Sequence, residues 1–175
     1  AQALGIDNIS VLAINPTTNP TGVGTANPSP VVPTGTTLLT VAVTPGSNPT
    51  STAHTVSADL TSIGGDATQT FFDDGSHGDV TAGDNVFSFN ATVGNSTIGG
   101  LKSLPFTITE TAPSNRIGSG SIPLTVLTAT SPTGSGQANP NSVLPGENSV
   151  LTVIVTPGAN PTSSGMAVRV DLSSI

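Results

Sequence analysis

Four aspartates, Asp73, Asp74, Asp79 and Asp84, crowd one stretch of this chain and alternate with Gly75, Gly78 and Gly83. Hard cations such as Ca²⁺ take six to eight oxygens from carboxylates, carbonyls and water, and glycine lets the backbone fold tightly enough to offer them. The stretch lacks the EF-hand pattern, because no Glu stands at the bidentate position. The same residues suit a long hairpin loop without metal. Asp side chains would then bond to nearby backbone amides and the glycines would take positive φ. Four like charges in one loop repel unless something neutralises them, which keeps Ca²⁺ in play as the cofactor to test. Both readings stay open on the sequence alone.

Other reactive side chains are few. His77 sits in the same loop, but a lone loop histidine reads as solvated before it reads as a metal ligand. His54 has Met166 as its counterpart in a second copy of its segment, so it carries no shared chemistry. Asp59 does match Asp171, without a partner acid for general acid–base work, and reads as exposed or turn-bonding. There are no cysteines, and therefore no disulfide, thiolate site or Cys nucleophile. No G-x-S-x-G elbow, H-E-x-x-H or P-loop occurs. Gly118-Ser119-Gly120-Ser121 is a polar stretch with no histidine in a motif beside it. There is no Trp or Tyr to stack on sugar faces, and the five Phe fit core positions, with Phe71 and Phe72 on opposite faces. Asn8-Ile9-Ser10, Asn90-Ala91-Thr92 and Asn95-Ser96-Thr97 match the glycosylation acceptor pattern, which a chain this rich in Ser, Thr and Asn meets by chance. No catalytic residue is assigned, and an enzyme is not expected.

Net charge is −7, with Lys102, Arg116 and Arg169 the three basic residues. Three scattered cations make no phosphate-binding patch, so nucleic acid is excluded as a partner and docking on anionic lipid is disfavoured. No run of about 18 apolar residues exists to insert in a membrane. Charged residues are 7% and aromatics 3%, while Gly (20) and Pro (15) are abundant. That bias resembles disorder, but the 34% apolar residues fall in short alternating runs between Gly/Pro/Asn turns, as β-strands do.

The elements that must position the acidic loop follow from those runs. Strands are expected at 26–32 (an edge strand, since Pro28 and Pro30 remove ladder donors), 37–44, 55–60, 68–72, 86–93, 102–109 and 120–126. Pro45-Gly46-Ser47-Asn48-Pro49 is a turn cluster, and 73–85 is a long polar loop. Seven short strands without a helical period predict an all-β, immunoglobulin-like antiparallel β-sandwich.

The segment Gly22–Ile63 recurs as Gly134–Ile175, without a gap and with a little over half its positions identical. The offset of about 112 residues is the size of one such sandwich, so the copies read as a tandem repeat of modules. Three parts are expected: an N-terminal strand or linker over 1–14, a sandwich module over 15–128, and the first half of a second, homologous module over 129–175. Residues 6–14 resemble 122–127 in character and would close a preceding module or serve as a linker strand. Three strands of a second module, including 150–155 and 167–172, would leave Val150, Leu151, Val153, Val155 and Val168 uncovered. Further chain, the first module, or a neighbour adding strands in trans would cover them.

The strings V-T-P-G-x-N-P-T-S, D-L-(T/S)-S-I and F-F-D-D-G-S-H-G-D-V-T-A-G-D-N-V-F-S-F resemble the immunoglobulin-like repeats of very large secreted bacterial proteins. The resemblance implies an extracellular or cell-surface location and a structural or spacer role, with head-to-tail assembly into a fibre as one form of it. It implies as partners neighbouring repeats of the same chain or identical chains. An accessory, calcium-stabilised binding module of a secreted hydrolase is the alternative. No signal peptide is read at the start of the sequence.

Overall fold

A computed structural model describes residues 15–174, and within them all regular structure is β apart from one 3₁₀ turn at Thr61–Ile63. The strands are β1 (Thr21–Asn27), β2 (Thr36–Thr44), β3 (Ala53–Ala58), β4 (Gln69–Phe71), β5 (Val86–Thr92), β6 (Gly100–Ala112), β7 (Ile117–Val126), β8 (Thr133–Asn139) and β9 (Val150–Thr156). The strand or linker expected over 1–14 lies outside the described residues.

Two antiparallel sheets face each other, ordered β1-β2-β5 and β4-β3-β6-β7. The cause is period-two alternation. On β2, Leu39, Val41 and Val43 point inward. They meet Val56 and Ala58 of β3, Leu104, Phe106 and Ile108 of β6, and Ile122 and Leu124 of β7 in one core. Phe71 is buried and Phe72 half-buried, the division expected of neighbours on one strand. Pro105 lies on β6 just beyond the last residue pair with β3, so its missing amide leaves no gap in that ladder.

One pairing crosses between sheets. β1 and β7 lie side by side and run parallel. Gly118 approaches Pro20, Gly24 approaches Ile122, and Val31 forms a parallel bridge with Val126. At this seam the strands come too close for side chains. A Cβ on Gly24 would sit 2.6 Å from Ile122 Cγ1, and one on Gly118 would sit 2.1 Å from the Pro20 carbonyl oxygen. On the opposite side, Phe72 and Ser88 exchange backbone hydrogen bonds at 3.0 and 2.8 Å and tie the sheets together again.

Two expectations need correction. The first strand covers 21–27, not 26–32. Gly22 and Gly24, which lay outside the expected strand, belong to it because a side chain at Gly22 would strike Ile108 and Phe106 of the core and one at Gly24 would strike Ile122 of β7. Beyond Asn27 the chain bends, and only Val31 returns to bridge β7. The second copy contains two strands, not three: β8 and β9 form a hairpin, while 167–172 carries no strand pairing. In the first copy the corresponding β3 is held between β4 and β6, and residues 129–174 contain no counterpart of either. Leu151 is 46% and Val168 51% exposed, where the matching Leu39 and Val56 are 0% and 1%.

Candidate functional site

The acidic loop leaves β4 at Asp73 and rejoins the sheets at β5. Asp73 organises it. Its Oδ1 accepts the amides of Gly83 (2.8 Å) and Asp84 (3.2 Å), and its Oδ2 accepts that of Asn85 (3.0 Å). Asp79 Oδ2 accepts the Gly75 amide at 2.7 Å, and Asp84 Oδ1 accepts that of Val86 at 2.9 Å. Positive φ at Gly75, His77, Gly78, Gly83 and Asn85 lets the backbone turn back on these carboxylates. The hydrogen-bonded hairpin reading thus has a specific bonding pattern behind it.

The loop brings three of the four aspartates together. Carboxylate oxygens of Asp73, Asp79 and Asp84 lie within 4.8 Å of one another. Asp74 stands outside this group. Its Oδ1 takes the Ser76 amide (2.8 Å) and hydroxyl (2.7 Å), and its Oδ2 lies 3.3 Å from His77 Nδ1. The Ser76 hydroxyl is the main cause holding the Asp74 carboxyl below its ordinary pKa. His77 stacks on Phe72, ring centroids 4.1 Å apart, and so belongs to the loop's surface packing. The three converging carboxylates match the hard-oxygen chemistry of Ca²⁺, and Asp79 is buried with no basic side chain paired to it among the described residues. Every one of the three already accepts at least one amide, so a cation would share oxygens that hold the loop.

Removing the organiser measures how much the amide bonds hold. Asp73→Ala strips three amides of their acceptor and is expected to cost about 2 kcal/mol, read as a lower denaturant midpoint at unchanged m.

His54 lines a shallow cleft with Asp73, Asn85 and Phe87, and its Nε2 is buried without a hydrogen-bond partner. Asp59 bonds a turn: its Oδ1 accepts the Thr61 hydroxyl (2.6 Å) and amide (2.8 Å), which lowers its pKa, and Asp171 takes the Ser173 amide likewise (2.9 Å).

A second polar centre escaped sequence reasoning. Arg116, immediately before β7, reaches a carboxylate and three carbonyls. It donates to Glu110, to Thr18 O and Ser47 O through Nη1, and to Pro49 O through Nη2, the last three at 2.6 Å. Its Nη2 also lies 3.0 Å from Glu110 Oε1. Glu110 is 0% exposed. The Arg116 hydrogen bond is the main cause holding its pKa below the usual range, against the upward push of burial, and Glu110 in turn raises Arg116.

Around Arg116 the segment 16–18 is fastened to the turn 45–51. Thr18 N donates to Ser47 O, Ser47 N to Thr18 Oγ1, Asn48 Nδ2 to Pro16 O, and Gly46 N to Ser51 Oγ. The same bonds recur in the matching sequence segment: Thr130 N to Ala159 O, Ala159 N to Thr130 Oγ1, Asn160 Nδ2 to Thr128 O, and Gly158 N to Ser163 Oγ. The one signal available in the sequence was the identity of T-P-G-x-N-P-T-S between the copies. No protein-family model, curated protein or solved structure matches the chain.

Proposed function

We propose that the chain is a structural spacer from a secreted or cell-surface bacterial protein. In this reading an immunoglobulin-like module over 15–128 is followed in tandem by the first half of a second, over 129–175. Its partners are neighbouring repeats of the same chain or identical chains, with head-to-tail fibre assembly as one outcome. The observation that carries the reading is the recurring fastening of segment to turn at 16–18/45–51 and 128–130/157–163. A flexible tether has no reason to preserve three hydrogen bonds between segment and turn in two places. A spacer does, because they fix how one module leaves the last. Thr128 adds to this by packing against Gly99, so closely that a Cβ there would lie 2.4 Å from its Oγ1.

Backbone ¹⁵N relaxation tests the reading. Residues 127–132 are expected to show order parameters near 0.85, like the flanking strands, and to become mobile in Asn160→Ala. Values below about 0.6 in the unaltered chain would remove the spacer reading.

The second reading, an accessory module stabilised by calcium, is favoured by the convergence of Asp73, Asp79 and Asp84. It predicts a rise in melting temperature of roughly 10 °C at a hundredfold excess of calcium over Kd. The spacer reading without metal predicts none. Asp73→Asn separates the two: it lowers the calcium-free melting temperature in either reading, because Nδ2 cannot accept the Asn85 amide, but it removes a calcium-dependent rise only in the second.

A further inference from the structure

The first copy reveals what its fastened turn is for. Thr18 O, Ser47 O and Pro49 O converge on one guanidinium, that of Arg116, with Ser51 Oγ 3.1 Å from Nη2. In the second copy the corresponding groups are Thr130 O, Ala159 O, Pro161 O and Ser163 Oγ. They stand on a turn closed by the same backbone and side-chain bonds, with Asn160 at φ 57° where Asn48 has 53°. Among the described residues no side chain donates to those three carbonyls.

The neighbouring surface fits the same occupant. Leu151, Val153, Val168 and Val170 form an apolar, grooved face beside β8, where Leu39, Val41, Val56 and Ala58 are core in the first copy. Gly134 and Gly136 on β8 match Gly22 and Gly24, whose missing side chains make room for Phe106, Ile108 and Ile122. A Cβ on Gly136 would meet nothing within 4 Å.

We infer that Thr130 and the turn 157–163 form a guanidinium-binding cradle, and that cradle and apolar face together receive a β-hairpin built like β6–β7. Such a hairpin carries a glutamate on its first strand, an arginine six residues on, and then Gly-x-Gly, as Glu110, Arg116, Gly118 and Gly120 do. Three carbonyl dipoles aimed at one point select a planar, multi-donor cation over an ammonium. The inference rests on the reading of 129–175 as half of a homologous module.

The test lengthens the full chain. Ile175 corresponds to Ile63, so a second copy of residues 64–130 is appended after Ile175, once unchanged and once each with R116K and R116A in the appended copy. In the unchanged extension, the amides of Leu151 and Val153 are expected to gain at least roughly a hundredfold in exchange protection. The carbonyl ¹³C resonances of Thr130, Ala159 and Pro161 are expected to shift. R116K, which keeps the charge and loses the fork, should fold with those shifts reversed and a lower melting temperature. If β9 stays unprotected in the unchanged extension, the half-module reading itself fails. If β9 is protected but R116K keeps the same carbonyl shifts and melting temperature, the cradle is overturned while the module reading stands. R116A adds a check on charge: carbonyl shifts identical to the unchanged extension would likewise overturn the cradle.

Discussion

Arg116→Ala is expected to lower the melting temperature of the chain by roughly 10 °C or more, the largest effect of any surface-reaching residue. The substitution strands a fully buried Glu110 and removes the donor to three carbonyls on two separate segments. Differential scanning calorimetry checks the size, and a double variant checks the cause. If Arg116 served only to neutralise Glu110, replacing both with apolar residues would restore most of the loss. Because Thr18, Ser47 and Pro49 also depend on it, Arg116→Met with Glu110→Leu is expected to remain well below the unaltered chain.

The same pair sets an acid limit. A carboxyl whose pKa is depressed in the fold contributes stability that is complete above its unfolded value and disappears as the pH falls through the folded one. Glu110 is depressed chiefly by Arg116, and Asp59, Asp74 and Asp171 are depressed by hydrogen bonds within their turns. Melting temperature should therefore fall below the ordinary carboxylate range. In Glu110→Gln the curve starts lower, and the part of the acid loss due to this pair is gone.

Gly24→Ala and Gly136→Ala alter equivalent positions of the two copies and are expected to part company. At Gly24 the new Cβ meets Ile122 Cγ1 at 2.6 Å and the Ser121 carbonyl oxygen at 2.9 Å, so strands β1 and β7 must separate. A cost of about 3 kcal/mol follows, at the upper end for overpacking. At Gly136 nothing lies within 4 Å, and the change should stay within about 0.5 kcal/mol of neutral. Parallel urea titrations of the two variants compare them directly. Equal destabilisation would mean that close packing at the seam is not why β1 carries glycine.

These two pairs of residues mark where the sequence stopped being legible. Leu39, Val41 and Val43, or Leu104, Phe106 and Ile108, announce their strands because alternation is a local property of the chain. Gly22 and Gly24 do not, since the side chains that crowd them most, Ile108 and Ile122, lie far along the chain. The 167–172 segment alternates like β3 and yet pairs with nothing, because a strand exists only through partners on either side. The acidic loop fell between these cases. Its aspartates were plain, but which three converge depends on where Asp73 finds its amides. Arg116 was invisible as a centre because the groups it joins lie at 18, 47, 49 and 110.

The parallel placement of β1 and β7 has a consequence for a chain under tension. The polypeptide arrives at Pro20, beside Gly118 at the start of β7, and departs at Val126, beside Val31. Pulling its two ends apart drags β1 and β7 in opposite directions along their own axes. The bonds from Val31 N to Thr125 O (2.9 Å) and Leu127 N to Val31 O (2.8 Å), the interlocked glycine seam and the Arg116 contacts to Thr18 then carry load in shear, all at once. A hairpin pulled from its open end would instead give way one bond at a time. Stretching along the line of the chain is therefore expected to load these bonds together, so that the sandwich gives way in one step.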